Sequence, residues 1–376
     1  MTRLLWICGT AAATVLNAAF YLGPLRRLAR ALDETAGAAD GEALEPAPLS
    51  VVIAARDEAT NLSTRLPAVL AQVYPAPLEI VVADDASADE TPAVLAQAAR
   101  DHPRLRVAAL TEKTAPGKKR ALALAIETAA HDWLLATDAD CAPASRYWAG
   151  RMMAARAHET EFVLGYGPYR RRPGWLNAWI RYETVYTAAQ YFSAALAGRP
   201  YMGVGRNLLY RRRVYDRLGG FAAHAHLAGG DDDLLVNAGA AADATAVCLA
   251  PEAWTYSEAA GTWRVYARQK RRHLSVGHAY KLGDRVWLGL LTGSHVGHYG
   301  GVAVLLVAGA WPWAVGLYAA RQAVVAARMA RVARGLGAGD LWRWVSVLDC
   351  GVAAYYAAFG AITLWDRVRG RTVREW

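Results

Sequence analysis

Two aspartates, Asp138 and Asp140, follow the apolar run Trp133-Leu134-Leu135-Ala136. In an extended chain, residues i and i+2 project to one side, so both carboxylates can reach one cation while Ala139 stays clear. Hard ions such as Mn2+ or Mg2+ take oxygen donors of this kind. A second acidic group, Gly230-Asp231-Asp232-Asp233, offers a carboxylate that could take a proton from an attacking hydroxyl. Lys118, Lys119 and the basic run Arg264 to Arg272 could balance the charge of a phosphorylated substrate. Each group also has a plainer reading. Aspartates are common at strand ends and helix N-termini. The lysines also suit a solvated loop, and the basic run a lipid-facing strip.

The elements around these residues form a regular pattern. The β-branched run Leu49 to Ala55 predicts a strand, and Asn61 to Gln72 a helix. Leu78 to Ala83 predicts a second strand, which stops at Asp84-Asp85 and leads to a helix ending near Arg100. Leu105 to Ala109, a loop through Gly117-Lys118-Lys119, and a helix from Arg120 to Ala129 lead back to Trp133. Such alternation predicts an α/β fold with a mixed, mostly parallel sheet covered on both faces. Ligands of such sheets collect at the carboxyl ends of the strands, where Arg56, Asp85, Lys118 and Asp138 all fall. Further on, Trp175, Trp179, Tyr182, Tyr186, Tyr191 and Phe192 lie along a helix beside Arg170 to Arg172. That helix either lies in the plane of a bilayer or packs in a core. A strand at Ala244 to Leu249 and a basic helix from Thr262 to Tyr280 follow.

The bulk composition points to a membrane. Of 376 residues, 55% are hydrophobic and only 20% charged, and Lys plus Arg outnumber Asp plus Glu by 42 to 33. No zinc-finger or helix-turn-helix pattern accompanies the basic residues, which speaks against nucleic acid. Cys8, Cys141, Cys248 and Cys350 have no paired spacing and indicate neither a disulfide framework nor a metal site. Leu4 to Leu22 carries no charge and has the length of a spanning helix, with Arg26, Arg27 and Arg30 directly after it. Positive flanks prefer the cytoplasm, so the portion that follows is expected there, on an inner-membrane, multi-pass protein. Asp33 to Pro48 resembles a tether. Trp287 to Ala308, Trp311 to Ala327 and Leu341 to Leu364 have spanning lengths, although Arg321 and Asp349 interrupt the second and third. The expected organisation is a spanning helix with its basic flank at 1–30, a linker at 31–48, a catalytic domain with interfacial helices at 49–283, and a membrane region of two to three helices at 284–376.

In sequence order, these residues resemble the family 2 glycosyltransferases with the GT-A nucleotide-sugar fold. Ser50-Val51-Val52-Ile53-Ala54-Ala55-Arg56-Asp57-Glu58 is similar to the family's opening strand, with Ala54 where many members have proline. The resemblance implies that Ala55, Arg56 and Glu58 lie at the donor. Val82-Ala83-Asp84-Asp85-Ala86-Ser87 is similar to the motif whose aspartate holds the nucleobase, a role that falls to Asp85 with Asp84 beside it. Asp138 and Asp140 match the metal-binding pair. Gly230-Asp231-Asp232-Asp233 is similar to the general-base motif and implies Asp232 as the base, with Asp231 at the substrate. Gly203-Val204-Gly205-Arg206-Asn207 resembles the acceptor-side loop, although its glycines equally suit a turn.

Gln269-Lys270-Arg271-Arg272-His273 is similar to the Gln-x-x-Arg-Trp motif of membrane-embedded members, with His273 in place of tryptophan. In the family that tryptophan lies under the acceptor sugar, while Gln269 and Arg272 meet the diphosphate. The implied activity is inverting transfer of a sugar from a nucleotide sugar, a UDP-sugar first, to a lipid or glycan acceptor at the membrane. It uses Mn2+ or Mg2+, with Lys118 among the cationic groups. A processive polysaccharide synthase and a non-catalytic nucleotide-binding membrane scaffold are the alternatives.

Overall fold

A computed structural model of the chain describes residues 2–37, 44–113 and 116–368. Part of the expected linker, 38–43, and the end of the C-terminal region, 369–376, lie outside the described residues. The chain divides into two compact units.

One unit takes in 35–171 and 194–279 and carries the sheet. Its strands are β1 (Leu49–Ala55), β2 (Leu78–Asp85), β3 (Leu105–Leu110), β4 (Trp133–Ala136), β5 (Ala142–Pro143), β6 (Phe162–Leu164), β7 (Leu208–Arg211), β8 (Thr245–Val247) and β9 (Thr255–Tyr256). Seven of them form one sheet in the order β3-β2-β1-β4-β7-β6-β8, and β5 and β9 pair separately. Strands β1 to β4 run parallel, whereas β7 is antiparallel to both β4 and β6. Every residue of β1, β2 and β4 is buried, as expected of strands covered on both faces. Leu62, Leu66 and Val69 of the helix Ala59–Leu70 pack with Val51, Ile53, Val82 and Trp148 in one core. The predicted strands and most predicted helices of this half are observed within a few residues, but the basic helix expected to reach Tyr280 ends at Leu274. The short strands β6 and β7, which flank the aromatic helical stretch, are additions, as are β5 and β9.

The other unit takes in the described residues of 1–34, 172–193 and 280–372. Three of its helices are long and apolar enough to cross a membrane: Thr2–Thr35, Leu282–Val307 and Gly339–Ile362. Asp33, assigned from sequence to the tether, instead belongs to the helix Pro24–Gly37. Leu25, Leu28, Ala29 and Leu32 recur at helical spacing along it and are buried. Between the first two long helices in sequence comes Trp175–Leu196. Of its aromatics Trp175 is exposed, while Trp179, Tyr182, Tyr186, Tyr191 and Phe192 are buried, which favours the core-packing reading.

Arg321 and Asp349, which interrupt the sequence pattern, form an ion pair at 2.5 Å with both side chains wholly buried. Tyr299 Oη donates to Asp349 Oδ2 at 2.6 Å, and Arg321 Nε donates to Asn17 Oδ1 at 2.9 Å. A buried charge needs such partners, and pairing between helices lets Arg321 and Asp349 sit within otherwise apolar stretches.

Candidate active site

Strand β1 hydrogen-bonds to β2 on one side and β4 on the other. The chain runs outward from β1 to β3, then crosses back to β4. A crevice opens at the carboxyl ends where the winding reverses, here past Ala55 and Ala136. Because β7 is antiparallel to β4, with Leu208 opposite Ala136, the loop before β7 enters at the same rim. Thr137 Oγ1 donates to Arg206 O at 2.9 Å and fixes that meeting.

In this crevice Lys118 joins the two acidic groups. Its Nζ pairs with Asp138 and lies 3.0 Å from Asp231 Oδ2. Lys118, Asp138, Asp231 and Asp232 line one cleft with Ala54 and Gly205. Burial opposes the Lys118 charge, yet Asp138, Asp231 and Asp232 hold its pKa well above the usual lysine value. Burial likewise opposes Asp138, and Lys118 more than offsets it, holding that carboxyl below its ordinary range. Asp140 moves the other way, raised by burial and then by Asp138. Asp232 is also raised, by burial first and Asp231 next. Asp138 and Asp140 are thus driven apart in proton affinity, a pattern that clusters at functional sites. Asp232 Oδ2 accepts from Gly205 N at 2.5 Å and Oδ1 from Asp233 N at 2.8 Å. It is the N-cap of the helix Asp233–Gly239, so the capping geometry and the place in the cleft belong to one residue.

The family described as glycosyltransferase like family 2 matches residues 46–275. The chain belongs to this family. Among curated proteins none matches it in sequence. Among solved structures, a mannosyltransferase from Pyrobaculum calidifontis, PcManGT, in complex with GDP-Man and Mn2+, is similar at 19% identity with a TM-score of 0.59. That match covers 95% of this chain and 99% of the other. S. aureus TarS 1–349 is similar at 15% identity and a TM-score of 0.41, over 79% of this chain and 91% of its own. At 19% identity the likeness to PcManGT is one of fold.

The donor set of this glycosyltransferase fits a hard divalent ion. Asp138, Asp140 and Cys141 present ligand atoms within 4.8 Å of one another. The two carboxylates are suitable ligands for Mn2+ or Mg2+. The Cys141 thiol, to which spacing gave no metal role, is a soft donor. Its pKa is pushed well up by burial and then by Asp140 and Asp138, and it donates to Asp140 Oδ1 at 3.4 Å.

The other residues expected at the donor sit along the same rim. Asp85 is buried and pairs with Lys113, whose Nζ also donates to Gly117 O at 3.0 Å. Asp84 accepts from Ser87 N at 3.2 Å and from the Ser87 hydroxyl. The loops after β1 and β2 are laced together. Asp57 N donates to Ser87 Oγ at 2.9 Å, Ala88 N to Asp57 Oδ1 at 2.8 Å, and Glu58 N to Thr91 Oγ1 at 2.8 Å. Asp57 and Ala86 hold φ of 52° and 53° there, a strained backbone that this lacing maintains. Among the described residues, the buried guanidinium nitrogen Nη1 of Arg56 has no hydrogen-bond partner, which leaves a donor for an anion. The Glu58 pKa is raised by burial and, among charges, by Asp140 and Asp138, which places this carboxyl near the acidic pair.

The basic helix spans Trp263–Leu274. Gln269 and Arg272 are half-buried on it and His273 is exposed. Gln269 Nε2 donates to Tyr169 Oη at 3.3 Å. The Arg206 guanidinium lies 4.4 Å from the centroid of the Tyr169 ring, and Nη1 donates to Ser257 Oγ at 2.9 Å. The resemblance places Arg206 in an acceptor-side loop; in the structure it is a half-buried cation at this rim. Lys113 was missed altogether, because its partner Asp85 comes from another strand end and no local spacing announces the pair.

Proposed function

We propose that this glycosyltransferase moves a hexose from a nucleoside diphosphate sugar to a lipid or lipid-linked acceptor, with inversion, at the cytoplasmic face of the membrane. The observation that carries the reading is the bridge from Asp138 through Lys118 to Asp231, in a cleft that Asp232 also lines, which unites a metal-type carboxylate pair with a base-type carboxylate. Asp138 and Asp140 would hold Mn2+ or Mg2+, and a bound ion there supplies charge neutralisation to the leaving diphosphate. Asp85 and Asp84 meet the nucleobase, while Ala55, Arg56 and Glu58 border the donor at the end of β1. Lys118, Gln269 and Arg272 meet the diphosphate, and His273 faces the acceptor side.

Asp232 takes the proton of the attacking acceptor hydroxyl at a carboxylate oxygen. Each of its oxygens accepts one backbone N–H, so a lone pair remains on each for that proton. Direct attack on the sugar carbon by the deprotonating hydroxyl gives inversion. Three long apolar helices and the arginines after the first support a membrane-bound acceptor and a cytoplasmic catalytic domain at 49–283.

The test is release of nucleoside diphosphate by purified protein supplied with lipid extract. UDP-sugars are tried first and GDP-mannose second, the latter because PcManGT was solved with it. Turnover that survives both Asp232→Asn and Asp140→Ala would sink the mechanism.

A further inference from the structure

Lys119 stands where a local rule of helix design is broken. It opens the helix Lys119–Thr128, whose free N-terminal amides already carry partial positive charge, so a cation is unfavourable there. Its residue is only 4% exposed. An ammonium has three N–H donors, and all three go to backbone carbonyls: His224 O at 2.8 Å, Leu227 O at 2.7 Å and Gly229 O. Burying a cation is costly unless it is satisfied in this way.

The three acceptors belong to one irregular stretch. It contains a 3-10 turn at Ala222–His224, is bounded by Gly219, Gly220 and Gly230 at positive φ, and leads directly into Asp231 and Asp232. Lys119 reaches it from more than a hundred residues upstream. Gly117 holds the same stretch from a second point. It has a φ of 74°, and a Cβ added to it would run into the backbone carbonyl of Ala228. Between these two residues, Lys118 pairs with Asp138 and Asp231.

We propose that Lys119 is a positioning residue for the base motif: by tying the carbonyls of 224, 227 and 229 to the helix start, it fixes the stretch that presents Asp231 and Asp232 to the acceptor. This rests on Asp232 being the base, as proposed above. The nucleobase and β1-end contacts lie on other strand ends, so loss of Lys119 should change turnover and spare donor binding.

The experiment compares wild type, Lys119→Gln, Lys119→Met and Lys119→Ala in the full-length protein, measuring kcat, donor KM and UDP affinity by calorimetry. Lys119→Met should lose about 100-fold in kcat, the lower end of what a positioned base contributes, with donor KM and UDP affinity within about twofold. Lys119→Gln, which keeps two donors, should fall between wild type and Lys119→Met. Added ethylamine should restore part of the kcat of Lys119→Ala, a rescue that a merely unfolded variant would not give. Wild-type kcat in Lys119→Met, or donor KM and UDP affinity weakened as much as kcat, would overturn the proposal. Asp232→Asn run in parallel separates the failures. An active Asp232→Asn overturns the base assignment itself; an inactive one beside a fully active Lys119→Met overturns the positioning role alone.

Discussion

Replacing Lys118 by methionine removes an ammonium and keeps a side chain of similar length. In the structure that ammonium pairs with Asp138 and stands 3.0 Å from Asp231, with 15% of its side chain exposed. At an effective dielectric of about 20, unit charges at this separation attract by roughly 5 kcal/mol before desolvation is counted. Removing one partner of a buried pair costs about 3–5 kcal/mol, since the remaining charge is left uncompensated. Asp138 is 31% exposed, which favours the lower end, about 3 kcal/mol. A unit of about 200 residues loses roughly 2–4 °C of Tm per kcal/mol, so the transition of the sheet-bearing unit should fall by about 6–12 °C in EDTA.

The same substitution also frees Asp138 for an ion. Mn2+ should therefore stabilise Lys118→Met more than wild type and narrow the gap, because a ligand stabilises in proportion to its affinity for the folded state. Thermal denaturation of detergent-solubilised protein, with EDTA and with millimolar Mn2+, measures both effects. Equal transitions in EDTA would refute the ion-pair argument, and a gap of unchanged size in Mn2+ would refute the metal assignment.

Alanine at Asp140 should cost more turnover than alanine at Asp138, since Asp138 is ion-paired to Lys118 while Asp140 Oδ1 accepts from a thiol; steady-state rates at saturating Mn2+ decide this. A base works deprotonated, and burial and Asp231 raise the Asp232 pKa, so activity should fall with decreasing pH at higher pH than an ordinary carboxylate would give. Asp231→Asn should move that acid limb to lower pH, and a limb that stays in place speaks against the coupling. In the helical unit, Arg321→Leu or Asp349→Leu alone should each cost about 3–5 kcal/mol, seen as loss of folded protein in detergent, whereas the double leucine variant should recover most of it. A double variant no better than the singles would show that the pair is not the source of the loss.

Much of the sheet was legible because its central strands advertise themselves. Leu49–Ala55 and Leu78–Asp85 contain the continuous apolar runs Val51 to Ala55 and Ile80 to Ala83, the signature of strands buried on both faces, and both were located nearly to the residue. Strands β6 and β7, of three and four residues, are too short to show a period and depend on pairing, β7 with β4 and β6 with β7 and β8. Missing them concealed how Gly205 and Arg206 reach Asp232 and Thr137. The aromatic helix Trp175–Leu196 had two readings from composition alone, and only neighbours from distant segments, such as Tyr355 beside Trp179, favour one.

The sequence by itself determined the chemistry on offer: which carboxylates and cations exist, that they follow strand ends, and that the chain carries long apolar helices. Those properties are local, written in residue type, spacing and period. Only the tertiary structure decided which charges meet. Lys118 bridges Asp138 and Asp231, Lys113 reaches Asp85, Lys119 clasps carbonyls 105 to 110 residues away, and Arg321 meets Asp349. A buried charge is stable only beside its partner, and that partner is brought in by the path of the backbone, which no local pattern records.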